Sequence, residues 1–87
     1  MKLATKIEAI FYIKGKPLSI DEIFACLNQQ TLRESNKISA EDRALVEDAL
    51  IELMNDYAHR DSALEVAETE AGYSLQLKDE YGYLLKE

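Results

Sequence analysis

The stretch of this chain that predicts its fold most clearly is Ser39-Ala-Glu-Asp-Arg-Ala-Leu-Val-Glu-Asp-Ala-Leu-Ile-Glu-Leu-Met-Asn-Asp-Tyr-Ala-His59. Ser39 and Asp42 have the spacing of a helix start, where the hydroxyl accepts a backbone N–H and the acid favours the positive helix end. Apolar residues then recur at helical spacing and share one face: Val46, Ala49, Leu50, Leu53, Met54 and Tyr57. The stretch therefore predicts one helix of about five to six turns, over residues 39–60.

The opposite face of this helix is acidic and polar. It carries Glu41, Asp48, Glu52, Asn55 and His59, and the chain as a whole has a net charge of −7. Phosphate backbones repel such a surface unless cations cluster, and the sequence has no dense basic cluster. We therefore expect no strong direct binding of nucleic acid.

Length and composition favour one small globular domain. The chain has 87 residues, 47% of them hydrophobic, which argues against disorder. It has no apolar run long enough to span a membrane, and its start lacks the apolar segment of a signal peptide. Its single cysteine cannot form an internal disulfide, so the expected location is cytoplasmic.

Residues 2–14 predict a first helix with two apolar strips. Leu3, Ala4, Ile7, Ile10 and Phe11 form a core-facing strip, whereas Ala9, Tyr12 and Ile13 form a second strip nearly opposite. A helix that is apolar almost all round is usually covered on both sides. The sequence leaves two covers open, a later part of the same chain or a partner subunit.

Gly15 and Pro17 end this helix, and Ser19 with Glu22 forms a possible capping box for a second helix over residues 19–28. Its apolar face consists of Ile20, Ile23, Phe24 and Leu27. Cys26 lies beside that face, and we interpret it as a small core or boundary residue. The polar segment 28–38 either prolongs the helix or forms a loop, and we expect it to be the least ordered internal segment.

Two alternating stretches after the long helix predict a hairpin over residues 63–78, connected through Glu70-Ala71-Gly72. Leu64 and Val66 would face the core together with Tyr73, Leu75 and Leu77. A short helical or irregular tail, 79–87, follows. The predicted fold class is α+β, a small winged helix-turn-helix domain over residues 1–87 with three helices and a C-terminal hairpin wing. Residues expected to be buried together are Ile7, Ile10, Phe11, Leu50, Leu53, Tyr57 and Leu75.

The chain resembles segregation and condensation protein B in the segments 6–23, 46–57, 64–77 and 79–81. These segments look like that family's opening helix and Gly-x-Pro-Leu-Ser turn, its third helix, its wing with a Gly-Tyr pair, and the residues after the wing. The resemblance implies a non-enzymatic protein of chromosome condensation and segregation. Members carry two winged-helix domains, dimerise through the first, and embrace the middle of a kleisin subunit (ScpA-like) that joins the SMC ATPase.

The resemblance thus implies a homodimer, a kleisin partner and, through it, SMC and the nucleoid. Two departures bear on this expectation. The chain stops where the family's second winged helix should begin, so we expect either a separate N-terminal domain or a short relative. The 28–38 segment also looks longer than is usual. Whether a kleisin is held without a second domain stays open.

The sequence offers no catalytic, cofactor or metal site. His59 and Cys26 are the only soft metal ligands, and they are far fewer than a metal centre needs. The adjacent His59-Arg60-Asp61-Ser62 does not suit a catalytic triad, because neighbours at a helix end rarely adopt its geometry. The many acids are typical of a solvated face. We therefore predict no enzyme and no small-molecule substrate.

Two alternative functions stay open. A winged-helix DNA-binding transcriptional regulator would need Arg43, Arg60 and Lys78 to meet phosphates. A small standalone regulator would use the same fold to bind an unrelated protein.

The second strip of the first helix leads to the candidate site. The candidate self-association surface combines that strip with apolar residues of the tail: Ala9, Tyr12, Ile13, Tyr81, Tyr83, Leu84 and Leu85. The tail is either the cover of the strip or part of the same adhesive surface. A patch of this kind normally pairs with its own copy around a two-fold axis. We predict a homodimer with Tyr12 and Ile13 at or near the interface.

Overall fold

The computed structural model describes residues 2–28 and 38–85. It contains helix α1 (Leu3–Lys14), helix α2 (Ile20–Leu27), helix α3 (Ala40–His59), strand β1 (Leu64–Thr69), strand β2 (Gly72–Leu77) and a short 3-10 tail helix (Asp79–Leu85). The α+β fold class, with three helices before an antiparallel hairpin, is confirmed. The prediction about order in segment 28–38 concerns residues that, apart from its two ends, lie outside the described part of the chain.

Local hydrogen bonds explain where the helices begin and end. Gly15 adopts a left-handed conformation (φ 63°), and its N–H donates to Phe11 O at 3.0 Å, which closes α1. The capping box of α2 is confirmed: Glu22 N–H donates to Ser19 Oγ at 3.1 Å, and Ser19 N–H donates to Glu22 Oε1 at 3.0 Å. The backbone N–H of Ser19 is the main cause that holds the pKa of Glu22 below its usual value.

The start of α3 also follows the predicted signal. Ser39 is the N-cap, and its hydroxyl accepts the Asp42 N–H at 3.1 Å. The helix proper runs for 20 residues, so the predicted boundaries 39 and 60 are its two cap residues. Its acidic outer face is exposed, as predicted.

The hairpin has a tighter turn than the sequence suggested. Thr69 pairs with Gly72, which leaves Glu70 and Ala71 as a two-residue turn and makes Gly72 the first residue of β2. A further bridge, which the sequence analysis missed, joins Leu18 to Tyr73 through two backbone hydrogen bonds of 2.8 and 2.7 Å. This bridge ties the link between α1 and α2 to the hairpin.

The core lies between the three helices and the inner face of the hairpin. Its buried members are Ala4, Ile7, Phe11, Leu18, Ile20, Ile23, Val46, Ala49, Leu50, Leu53, Tyr57 and Val66. This list confirms five of the seven predicted core residues, whereas Ile10 and Leu75 are half-buried and pack against the cluster.

The prediction that Leu64 faces the core is wrong. Leu64 is the first residue of β1 and pairs with Leu77, the last residue of β2, so it lies at the open end of the hairpin. Its side chain is 37% exposed and is not among the residues that pack against the core cluster. Leu77 is half-buried there and does not belong to the core cluster.

Candidate functional site

A groove runs between α1 and the open end of the hairpin. We call it the α1 groove, and its lining residues are Thr5, Glu8, Ala9, Tyr12, Ile13, Tyr57, Leu64 and Leu75. Its volume is about 450 Å³. Most of the lining side chains are apolar, which is the character of a surface that binds another molecule by excluding water.

The exposed wall of the groove is the second strip of α1. The side chains of Tyr12 and Ile13 are 83% and 75% exposed, and Ala9 is also exposed. The other side of α1 packs into the core, where Ala4, Ile7 and Phe11 are buried. Of the two covers that the sequence left open, no part of the described chain supplies the first.

The floor of the groove holds one polar pair. The Tyr57 hydroxyl donates a hydrogen bond to the Glu8 carboxylate, which joins α3 to α1 across 49 positions of sequence. The guanidinium of Arg60 lies over the Tyr57 ring, 4.3 Å from its centroid. Burial, and then the Glu8 carboxylate, raise the pKa of Tyr57, so the phenol stays protonated as the donor at neutral pH.

The tail does not close this groove within one copy. Tyr83 and Leu84 are each 64% exposed, and Tyr81 is half-buried. The side chain of Leu85 lies outside the described part of the chain. None of the described tail residues lines the groove, and the tail helix makes no more than marginal contact with α1. One copy therefore keeps the two halves of the predicted self-association surface apart.

A second hollow of about 240 Å³ lies where α2 ends and α3 begins, lined by Leu3, Lys6, Phe24, Leu27, Asn28, Asp42, Leu45 and Val46. One of its lining residues, Asn28, is the last described residue before the gap at 29–37, so we assign this hollow no role.

The three cations that the DNA-binding hypothesis requires, Arg43, Arg60 and Lys78, do not lie together. Arg43 pairs with Asp21 at 3.4 Å and with Glu47 at 3.3 Å, so two carboxylates offset its charge. Arg60 lies over Tyr57 at the other end of the same helix, about 26 Å away at 1.5 Å per residue. Lys78 follows β2, where its N–H donates to Ala63 O at 2.8 Å. Two of the three side chains thus already have intramolecular partners.

The remaining chemical candidates are isolated. His59 is exposed at the end of α3, with Nδ1 donating to Asn55 O at 2.8 Å, and Cys26 is half-buried on α2. Within residues 2–28 and 38–85, no group of three or more His, Cys, Asp or Glu side chains could hold a metal ion. The helices of this same part of the chain are too short or too polar to cross a bilayer.

Sequence reasoning found one wall of the groove and missed the rest. The pattern of α1 predicts the exposed strip of Ala9, Tyr12 and Ile13. The groove residues with no predicted site role are Thr5 and Glu8, and those predicted only for the core are Tyr57, Leu64 and Leu75. The spacing of Thr5, Glu8, Ala9 and Tyr12, which places them on one side of α1, was the available signal.

Comparison with known proteins agrees with this architecture. Residues 5–87 match the family model described as segregation and condensation complex subunit ScpB. No curated protein matches the chain. The match spans nearly the whole sequence, including the helices, the hairpin and the tail, and it confirms the resemblance carried by residues 6–23, 46–57 and 64–77. The family is one of non-enzymatic subunits that associate with the SMC condensin complex in chromosome condensation and segregation. The chain belongs to this segregation and condensation complex subunit ScpB family.

Proposed function

We propose that this chain is a non-enzymatic protein-interaction module that forms a homodimer through the α1 groove and binds the kleisin subunit of its condensin complex. The observation that carries the proposal is the exposure of Tyr12 and Ile13, at 83% and 75%, along an apolar groove. A small domain rarely leaves two large adjacent apolar side chains so open unless another molecule covers them.

The energetics of burial favour a second copy of the chain as the molecule that covers Tyr12 and Ile13. Burying apolar surface is worth about 25 cal/mol per Å², from which the entropy of joining two bodies must be subtracted. A two-fold dimer buries the same patch twice, so each apolar residue contributes from both subunits. The family resemblance implies the same arrangement, since N-terminal domains of related proteins dimerise.

The kleisin partner is proposed from family membership. Through an ScpA-like kleisin the chain would reach SMC, and it would act in the cytoplasm in association with the nucleoid. Residues 1–87 would serve as a single winged-helix domain in that assembly. The acidic outer face of α3 supports protein contacts over DNA contacts, because it occupies the place of a DNA-reading helix in a winged helix.

Self-association is tested by sedimentation equilibrium of the wild type and of Ile13→Glu. We expect a dimer at tens of micromolar for the wild type and a folded monomer for the variant, since a carboxylate in the interface would lose its hydration. The matched control is Ile51→Glu, because Ile51 is also exposed (56%) but lies on α3 outside the groove. A monomeric wild type, or an Ile13→Glu variant that stays fully dimeric, would refute the proposed surface.

A further inference from the structure

We infer that the tail helix of one copy docks in the α1 groove of a second copy, so that a dimer exchanges tails. This inference rests on the proposed homodimer and names what fills the groove. One chain carries both halves of the contact: an apolar groove that no described segment covers, and an apolar tail that no described segment buries. Its fold holds the two apart.

The tail has the right side chains for the groove. Tyr83 and Leu84 are adjacent and equally exposed, at 64% each, and neighbouring exposed apolar side chains are typical of a surface that another molecule covers. The groove, at about 450 Å³, is within the range of natural binding pockets, roughly 300 to 1,000 Å³. Its walls at Ala9, Ile13 and Leu75 offer apolar contact to both side chains.

The polar groups of the two parts also match. Tyr57 engages one oxygen of the Glu8 carboxylate, and the other oxygen has no hydrogen-bond partner among the described residues. A buried tyrosine hydroxyl needs an acceptor, and Tyr83 would bring such a donor to Glu8. A docked Tyr83 would thus add one hydrogen bond, to Glu8, to the apolar contact between the tail and the groove.

Charge favours the same pairing. The tail helix begins with Asp79 and Glu80. Lys14 follows Ile13 at one end of the groove wall, and Arg60 lies beside the groove residue Tyr57. Neither cation forms an ion pair with a carboxylate in the described part of the chain. An incoming acidic tail would therefore meet cations that no described carboxylate neutralises.

Disulfide trapping between two differently tagged chains tests this exchange. In a Cys26→Ala background, one chain carries Ile13→Cys and the other carries Leu84→Cys. We expect mild oxidation to give a covalent heterodimer in more than half of the mixed dimers. The matched control replaces Ile13→Cys by Ile51→Cys, which is exposed on α3 and should give at least tenfold less heterodimer.

The outcomes separate this inference from the proposed homodimer. If sedimentation shows a dimer but the Ile13→Cys and Leu84→Cys chains cross-link no better than the control, tail exchange is wrong and the homodimer stands. If one chain carrying both cysteines forms only an internal disulfide, the tail fills its own groove and the inference is again wrong. If the wild type is monomeric, the homodimer and the exchange both fail.

Discussion

Replacing Leu53 by alanine is expected to lower the free energy of unfolding by about 2 to 4 kcal/mol. Leu53 lies in the middle of α3 and is only 2% exposed, within the cluster that joins the helices to the hairpin. Alanine would remove most of its apolar contact and leave a cavity that the neighbouring helices can fill only in part. Urea unfolding followed by circular dichroism measures the change.

Leu45→Ala is the matched control for this substitution. It makes the same chemical change on the same helix, but Leu45 is 59% exposed. Its effect should stay within about 0.5 kcal/mol, as for most surface substitutions. Equal decreases in the free energy of unfolding for Leu45→Ala and Leu53→Ala would show that the buried face of α3 is assigned incorrectly.

Replacing Gly72 by alanine is expected to lower the free energy of unfolding by at least as much as the Leu53→Ala substitution does. Gly72 has φ 126°, a conformation that costs an L-residue roughly 1 to 3 kcal/mol, and it begins β2 next to the link between α1 and α2. A Cβ placed there would lie 2.5 Å from both the carbonyl carbon and the oxygen of Leu18. Relieving this clash would break the pair of hydrogen bonds between Leu18 and Tyr73.

Gly82→Ala provides the control for a glycine substitution as such. Gly82 lies in the tail helix, has no positive φ, and a Cβ there would meet no atom within 4 Å. The Gly82→Ala protein should be about as stable as the wild type. The urea midpoints of Gly82→Ala and Gly72→Ala are compared with that of the wild type. A Gly72→Ala protein as stable as Gly82→Ala would contradict the close approach of Leu18 to the hairpin.

The elements of this fold could be predicted because their signals are local. Ser19 with Glu22, Ser39 with Asp42, and Gly15 each act within one helical turn, so sequence spacing alone identifies the helix ends. Alternation in β1 and β2 likewise needs no knowledge of the rest of the chain. The one local error was the turn, where Gly72 adopts its unusual φ as a strand residue instead of as a loop residue.

The rest depends on how distant segments meet, which periodicity does not encode. The bridge between Leu18 and Tyr73 joins residues 55 positions apart. The bond between Tyr57 and Glu8 spans 49 positions. Leu64 alternates like a core residue, yet it lies at the open end of the hairpin, where its exposed side chain helps to form the groove. The site was therefore only half predictable.

The acidic character of the chain and the pairing of its cations point to function through proteins. We expect a surface with a net charge of −7 to repel a phosphate backbone. Arg43, on α3, pairs with Asp21 and Glu47. An interaction subunit does not need the basic surface that a winged-helix DNA-binding protein uses, so an acidic surface is compatible with such a role.

We propose that this chain works by binding proteins of a condensin complex and not by binding DNA. The most direct measurement is sedimentation velocity of the labelled chain at low salt. One sample contains the kleisin subunit from the same genome, and a second sample contains a duplex DNA fragment. We expect a faster-sedimenting complex with the kleisin at micromolar concentrations and no complex with the duplex. Sub-micromolar, salt-sensitive binding to the duplex together with no kleisin complex at tens of micromolar would contradict it.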